Sequence, residues 1–141
     1  MKTRKSKNEL ESLGKRRTIL VSISILLVSI HTIYFYHSVK PEIDGNKLIQ
    51  QIVRFGLTGL LLAYAYQGKK WARGVLVVLF TFATIIAIKS LVTINSIFVL
   101  KLPFIVMVFV YSFSVYHFMF AKSYKAFVKF QIENKSTSYS E

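Results

Sequence analysis

The sequence predicts an all-α integral membrane protein: four transmembrane helices in an antiparallel bundle, with both termini in the cytoplasm. Four stretches each have the roughly 20 mostly apolar residues that an α-helix needs to cross a bilayer. Nineteen Lys and Arg residues stand against six Asp and Glu, and the basic residues concentrate in the tails and in alternate connections, as the positive-inside rule expects. Every acidic residue lies outside the apolar stretches, which indicates that those stretches are membrane spans.

The predicted spans are residues 18–36, 48–66, 71–93 and 99–120 of 141. We expect 18–120 to form one membrane domain, 1–17 a basic tail, and 121–141 a tail that is basic and amphipathic, then disordered from residue 134. Basic residues before an apolar stretch also occur in signal peptides. The first stretch is longer than a typical signal core, and residues 34–37 offer no small-residue cleavage site, so we expect it to be retained.

The orientation follows from the flanking charges. Fourteen Lys and Arg residues flank the spans on the side of both tails and of the second connection, whereas Lys40 and Lys47 alone flank the other side, in the first connection. Basic residues are retained in the cytoplasm during insertion, so both termini are expected there. The net charge of +13 has three explanations, which are topology alone, attraction to anionic inner-leaflet lipid, and an acidic partner such as nucleic acid. Nucleic acid is the explanation we favour least.

The C-terminal tail predicts a helix that lies along the inner membrane surface. Three lysines fall on one helical face and an apolar set falls on the opposite face. The residues expected to contact anionic lipid are Lys122, Lys125 and Lys129.

Small and hydroxyl side chains let membrane helices approach closely, and they recur at spacings of three and four in spans one and two. The expected packing residues are Ser22, Ser29, Thr32, Gly56, Gly59 and Ala63. Span four, rich in Phe and Val, is expected to face lipid or a partner. A homo-oligomer or a membrane-protein partner is therefore expected.

Among the charged residues inside the predicted spans, Arg54 is the one whose position in the bilayer costs the most free energy. It lies about 5 Å from the midpoint of its predicted span, where a guanidinium facing lipid costs roughly 2.5 to 3.5 kcal/mol. One hypothesis is a polar cavity, open to the outer side, for an anion or a lipid phosphate. Its expected lining is Arg54, His31, Gln50, Gln51 and Lys89. The alternative is that Arg54 snorkels or pairs with Glu42 or Asp44 for structural reasons alone.

The other embedded polar groups have simpler explanations. Lys89 and Lys101 lie near span ends, so they can reach the outer headgroups. His37 and His117 are expected at the membrane interfaces, where water solvates them.

Several chemistries are not expected. The spans contain no carboxylate of the kind with which cation-coupled carriers bind their ion. A His-Glu-x-x-His metal motif is absent from the sequence, and so is cysteine. We therefore expect neither an enzyme nor catalytic residues, metal or cofactor.

One short motif carries a resemblance. Gly68-Lys69-Lys70-Trp71-Ala72-Arg73 resembles the basic, Trp-containing connection found between spans two and three of many small bacterial multi-pass membrane proteins that are uncharacterised. The resemblance covers six residues and the four-span layout. It implies a bacterial cytoplasmic (inner) membrane protein and brings no activity with it.

Three functions remain open. The leading one is a membrane-embedded interaction or assembly subunit. The second is an oligomeric pore, or an anion- or lipid-handling protein, built around Arg54. The third is a membrane-disrupting effector.

Overall fold

The computed structural model describes residues 2–39, 44–94 and 98–138. They form five helices: α1 (Lys2–Val39), α2 (Gly45–Tyr66), α3 (Lys70–Thr93), α4 (Phe98–Phe120) and α5 (Lys122–Ser138). Four of the described helices, α1 to α4, are long and apolar enough to cross a membrane. The predicted all-α fold with four candidate spans is confirmed. The chain is thus a multi-pass membrane protein by the length and composition of its helices.

Helix α1 is much longer than a bilayer requires. Its 38 residues extend over about 57 Å, nearly twice the thickness of the hydrocarbon layer. The basic segment before residue 18 therefore continues the same helix beyond the apolar part. From Lys2 onward, the predicted N-terminal tail is a helical extension of the first span.

Helix α5 runs antiparallel to that extension. Glu133 Oε2 lies 3.9 Å from Lys7 Nζ, and Gly14 packs on Ser123 and Phe127. Residue numbers along α5 therefore decrease as those along α1 increase, so the two helices are antiparallel. We call this pair of helices, residues 6–17 of α1 together with α5, the stalk.

The stalk differs from the predicted surface helix. Tyr124 and Phe127 are each 1% exposed and Val128 is 9% exposed, because the apolar face of α5 packs on protein. A lipid surface and a helix surface can each bury such a face, and the pattern of residues does not distinguish them. Residues 134–138, expected to be disordered, continue helix α5.

The turn between α2 and α3 meets the stalk. The Tyr124 hydroxyl donates to the Ala65 carbonyl over 3.1 Å, and a Cβ at Gly68 would lie 3.3 Å from Val128 Cγ1. Gly68 has φ of 84°, the left-handed conformation that glycine adopts most readily at a helix end. The stalk and this turn therefore occupy one end of the bundle, which we call the basic end. The described helix ends Val39, Gly45, Thr93 and Phe98 lie at the opposite end, the far end.

Helix α4 packs one side against α3 and α1. Tyr111, Ser114, His117 and Phe118 are all buried, and the Phe80 and Tyr111 rings stack 5.2 Å apart. The expectation that this helix faces lipid or a partner took account only of its other side, which is exposed. Its Phe and Val content describes the exposed side, while the buried side carries the serine, histidine and tyrosine that meet α1 and α3.

Candidate functional site

Arg54 lies at the centre of helix α2. The helix runs from Gly45 to Tyr66, which places Arg54 about 2 Å from its midpoint. Arg54, Leu61 and Ala65 follow one another at spacings of seven and four, so they share one stripe of the helix. The stripe is buried at Ala65, half-buried at Leu61 and exposed at Arg54. The guanidinium is therefore at mid-depth and on the edge of the face that meets the bundle.

A hydroxyl group from another helix lies within electrostatic range of Arg54. The Tyr111 phenol of α4 is close enough to interact with the Ser29 hydroxyl and, electrostatically, with the Arg54 guanidinium. Tyr111 is only 6% exposed, and each of the three residues lies near the middle of the apolar part of its helix. We call Ser29, Arg54 and Tyr111 the central polar cluster.

Tyr111 was not among the predicted site residues, although the sequence carried a signal for it. Tyrosine is enriched at the ends of membrane spans, whereas Tyr111 sits in the middle of one. A phenol in that position has to find a polar partner inside the bundle. The signal was its depth, and only the fold shows which helices supply the partners.

His31 does not join this cluster. Helix α1 meets α2 through Leu26, which faces Gly59, and through His37. His31 is about 120° to 140° around the helix from both of these residues. It is exposed and lies beside Phe35, with ring centroids 6.3 Å apart.

The other predicted cavity residues occupy different places. Gln51 is half-buried, and its Oε1 lies 3.0 Å from Nε2 of His37, so it links α1 and α2 at the far end. Gln50 and Lys89 are exposed. Lys89 follows the buried Ala87 by two residues, about 160° around α3, so it points away from the bundle. The structure thus places Arg54 within electrostatic range of Tyr111 and apart from the residues expected from the sequence.

The alternative hypothesis is that Arg54 pairs with Asp44 or Glu42 for structural reasons alone. Asp44 accepts a hydrogen bond from the Lys47 backbone N–H over 3.4 Å, and its Oδ2 lies 3.5 Å from Lys47 Nζ. Asp44 is also about 15 Å from Arg54 along the helix axis, too far for a direct pair. Glu42 lies outside the described residues. Within the described ranges, Arg54 forms no ion pair.

The predicted packing residues divide between contact and open surface. A Cβ at Gly59 would lie 4.0 Å from Leu26 Cδ2, which makes Gly59 part of the contact between α1 and α2, whereas a Cβ at Gly56 would meet nothing within 4 Å. Ala63 is exposed. The hydroxyl-bearing members on α1 are half-buried: Ser22, Ser29 and Thr32. Only part of the α2 seam is therefore used within one chain.

A second polar contact joins α1 to α4 at the basic end. The Thr18 hydroxyl donates to the Gly14 carbonyl over 2.8 Å, and Thr18 Oγ1 also lies 3.0 Å from His117 Nε2. A hydroxyl has one proton, so the imidazole N–H must donate to Thr18. His117 is 2% exposed, in contrast to the solvated, interfacial position expected from the sequence. The sequence showed a histidine near a span end but not the helix that covers it.

The basic end presents a dense positive surface. The lysines expected to contact anionic lipid, Lys122, Lys125 and Lys129, are all exposed on α5. Lys15, Arg16 and Arg17 are exposed on α1 beside them. Lys129 Nζ lies 3.9 Å from Glu133 Oε1, an exposed pair of little energetic weight. Most of the positive charge on this surface is therefore exposed and not neutralised by acidic side chains of the described residues.

No protein-family model, curated protein or solved structure matched this chain in comparisons with all three. Among the described residues, no group of three or more His, Asp or Glu side chains is arranged to hold a metal ion. Fold and site together define a multi-pass, all-α membrane protein with a polar cluster at the middle of its bundle and a basic stalk at one end.

Proposed function

We propose that the protein is a membrane-embedded assembly subunit, in which a second copy of the chain packs against α2 and covers Arg54. The orientation that we propose has the basic end in the cytoplasm of a bacterial cell, because that end carries the tails and the basic turn that the positive-inside rule keeps inside. The protein would then reside in the bacterial inner membrane with its stalk on the cytoplasmic side.

The observation that carries the proposal is the exposure of Arg54 at the middle of α2. A guanidinium facing lipid at that depth costs roughly 2.5 to 3.5 kcal/mol on the insertion scale. A partner helix that supplies carbonyl or hydroxyl acceptors would remove most of this cost, since Arg offers five donors. The same helix leaves Gly56 and Ala63 open, and small residues let two backbones approach closely.

The stalk supports an assembly role in a second way. Its two helices are held together by the close contact at Gly14, and Tyr124 joins α5 to the end of α2, so it is a fixed projection and not a loose tail. Leu10 and Leu13, one turn apart on α1, are 40% and 45% exposed. Large aliphatic side chains on a fixed, otherwise polar projection suit contact with another protein.

Cysteine cross-linking tests the assembly directly, because the natural chain contains no cysteine. Leu57 lies one turn from Arg54 and is 57% exposed, and Ile86 on α3 is 62% exposed. In native membranes, we expect Leu57→Cys to form covalent dimers on oxidation and Ile86→Cys to form far fewer. Adding Arg54→Leu to Leu57→Cys should reduce the dimer yield. Equal yields at the two positions would overturn the proposal.

A second candidate function is anion handling at the central polar cluster. It is favoured by the Tyr111 hydroxyl near Arg54, since a guanidinium and a phenol can together donate hydrogen bonds to an anion. Its test is anion flux into liposomes containing the purified protein. Loss of flux with Arg54→Gln but not with Lys89→Gln would support it, and identical flux with protein-free liposomes would exclude it.

A further inference from the structure

A groove between α1 and α4 lies on the surface of the bundle near the basic end. It has a volume of 350 Å³, and its walls include Leu20, Val21 and Ser24 from α1 and Phe109 and Phe113 from α4. Leu20, Phe109 and Phe113 are 55%, 72% and 60% exposed, so the groove opens outward. It is separate from the central polar cluster and from the open face of α2.

The walls of the groove are apolar in effect, although two serines contribute to them. The Ser24 hydroxyl donates to the Leu20 carbonyl over 2.9 Å, and the Ser114 hydroxyl donates to the Val110 carbonyl over 2.6 Å. Both hydroxyl protons are therefore engaged by the serine's own helix. A polar solute would find little to bind, whereas a hydrocarbon chain would lose nothing by entering.

One cation lies at the basic end of the groove. Arg17 precedes Leu20, Val21 and Ser24 by three, four and seven residues, so it lies on the same face of α1, about 5 Å nearer the basic end. Its side chain is exposed. The neighbouring Thr18 contacts His117 of α4 over 3.0 Å, so α4, the opposite wall of the groove, also passes close to this position.

We propose that this groove binds one acyl chain of an anionic phospholipid and that Arg17 binds the phosphate of that lipid. The order of the parts matches the order in a bilayer, with the cation at the end where the span leaves the membrane and the apolar walls deeper in. A guanidinium can donate two parallel hydrogen bonds to a phosphate, which a general positive surface does not provide. The occupant is a lipid and not a helix of a partner, because the site pairs a hydrocarbon groove with an anion-binding group at headgroup depth.

The neighbouring residue Arg16 supplies a matched control. Arg16 and Arg17 are both exposed and carry the same charge, but they are about 100° apart around α1. Arg17 lies at the centre of the groove's face of α1, whereas Arg16 lies at its edge, one turn from Leu20. Loss of either changes the net charge equally, so a difference between the two variants reports the local site and not the overall attraction of the basic end for anionic membranes.

The experiment uses the full chain in nanodiscs with trace amounts of two photoactivatable lipids. One is a phosphatidylglycerol and the other a phosphatidylcholine, each with the same diazirine on one acyl chain. We expect the phosphatidylglycerol to label residues 19–24 and 109–114 more strongly than the phosphatidylcholine does. Arg17→Gln should reduce that preference about tenfold, the size of one charge-assisted contact, and Arg16→Gln should leave it nearly unchanged.

Two further variants test the groove itself. Ser24→Leu and Ser24→Trp fill it to different extents and should lower labelling by both lipids in that order, with Ile86→Trp on α3 as the control. Circular dichroism confirms that each variant keeps its helix content. Equal losses in Arg16→Gln and Arg17→Gln, or labelling spread evenly over α2 and α3, would overturn the proposal in favour of ordinary surrounding lipid. Neither result bears on the cross-linking at Leu57, so this site and the proposed assembly stand or fall separately.

Discussion

Gly14 is the position at which a single methyl group should separate the stalk. A Cβ there would collide with the Ser123 carbonyl oxygen and would lie 2.8 Å from Phe127 Cβ, where ordinary contacts begin near 3.4 Å. None of these atoms is the end of a flexible side chain. Helix α5 therefore has to retreat by at least about 0.6 Å, a gap that forfeits a quarter or more of the dispersion energy along the contact.

The magnitude follows from two opposing terms. Overpacking of a close contact costs about 1 to 3 kcal/mol, and replacing Gly by Ala inside a helix returns about 1 kcal/mol. Gly14→Ala should therefore weaken docking of α5 by about 1 kcal/mol, a change of about fivefold in its opening equilibrium. Gly14→Leu adds bulk without room for it and should weaken docking by about 3 kcal/mol.

Amide hydrogen exchange of the full chain in nanodiscs measures this effect. Exchange of the α5 amides should accelerate in the Gly14 variants, while the amides of α3 should keep their protection. Gly74→Ala is the control, because a Cβ at Gly74 would meet nothing within 4 Å and the residue also lies inside a helix. Unchanged α5 protection in Gly14→Leu would refute the close contact between α1 and α5.

Three further predictions concern the basic end. Burial raises the pKa of Tyr124 to about 12, with Arg73 opposing the shift, whereas the pKa of tyrosine in the unfolded chain is near 10. Docking of α5 should therefore be constant below about pH 10 and weaken as pH rises towards 12. Hydrogen exchange of the α5 amides measures this weakening. Tyr124→Phe should remove this alkaline weakening and cost only about 0.5 to 1 kcal/mol. Thr18→Val should leave the buried His117 N–H without its acceptor and lower the free energy of unfolding by about 1 to 3 kcal/mol. A double-mutant cycle with His117→Phe checks this, and additive effects of the two substitutions would contradict the contact. Gly68→Ala should destabilise the turn between α2 and α3 by about 1 to 2 kcal/mol, since a side chain is strained at its positive φ, and an unchanged melting temperature would argue against that conformation.

The spans were predictable because crossing the hydrocarbon layer requires a certain number of consecutive apolar residues, which can be counted along the chain. Residues 48–66 and 71–93 were expected as spans, and the corresponding helices run Gly45–Tyr66 and Lys70–Thr93. The ends shifted by only a few residues because Asp44 and Gly68 end the helical pattern locally. The reach of α1 back to Lys2 was not foreseen, since a polar helical extension has the composition of a tail.

The candidate site was only partly predictable. Arg54 was identified from the cost of its charge at mid-depth, which depends on the position along the chain alone. Predicting the residues near Arg54 would have required knowing how each helix is rotated about its own axis. His31 has a suitable depth but the wrong face, and Tyr111 has the right face, which its depth along the chain does not reveal.

The sequence by itself determined how many helices cross the membrane, which connections carry the positive charge and how deep each polar residue lies, because these depend on composition counted along the chain. The tertiary structure alone decided what covers each face. It packed α5 on α1 in place of lipid, buried one side of α4 against α1 and α3 and set Tyr111 within electrostatic range of Arg54. An apolar face is satisfied equally by lipid or by another helix, and a polar group by any partner at its depth, so the choice is made by the packing of whole helices.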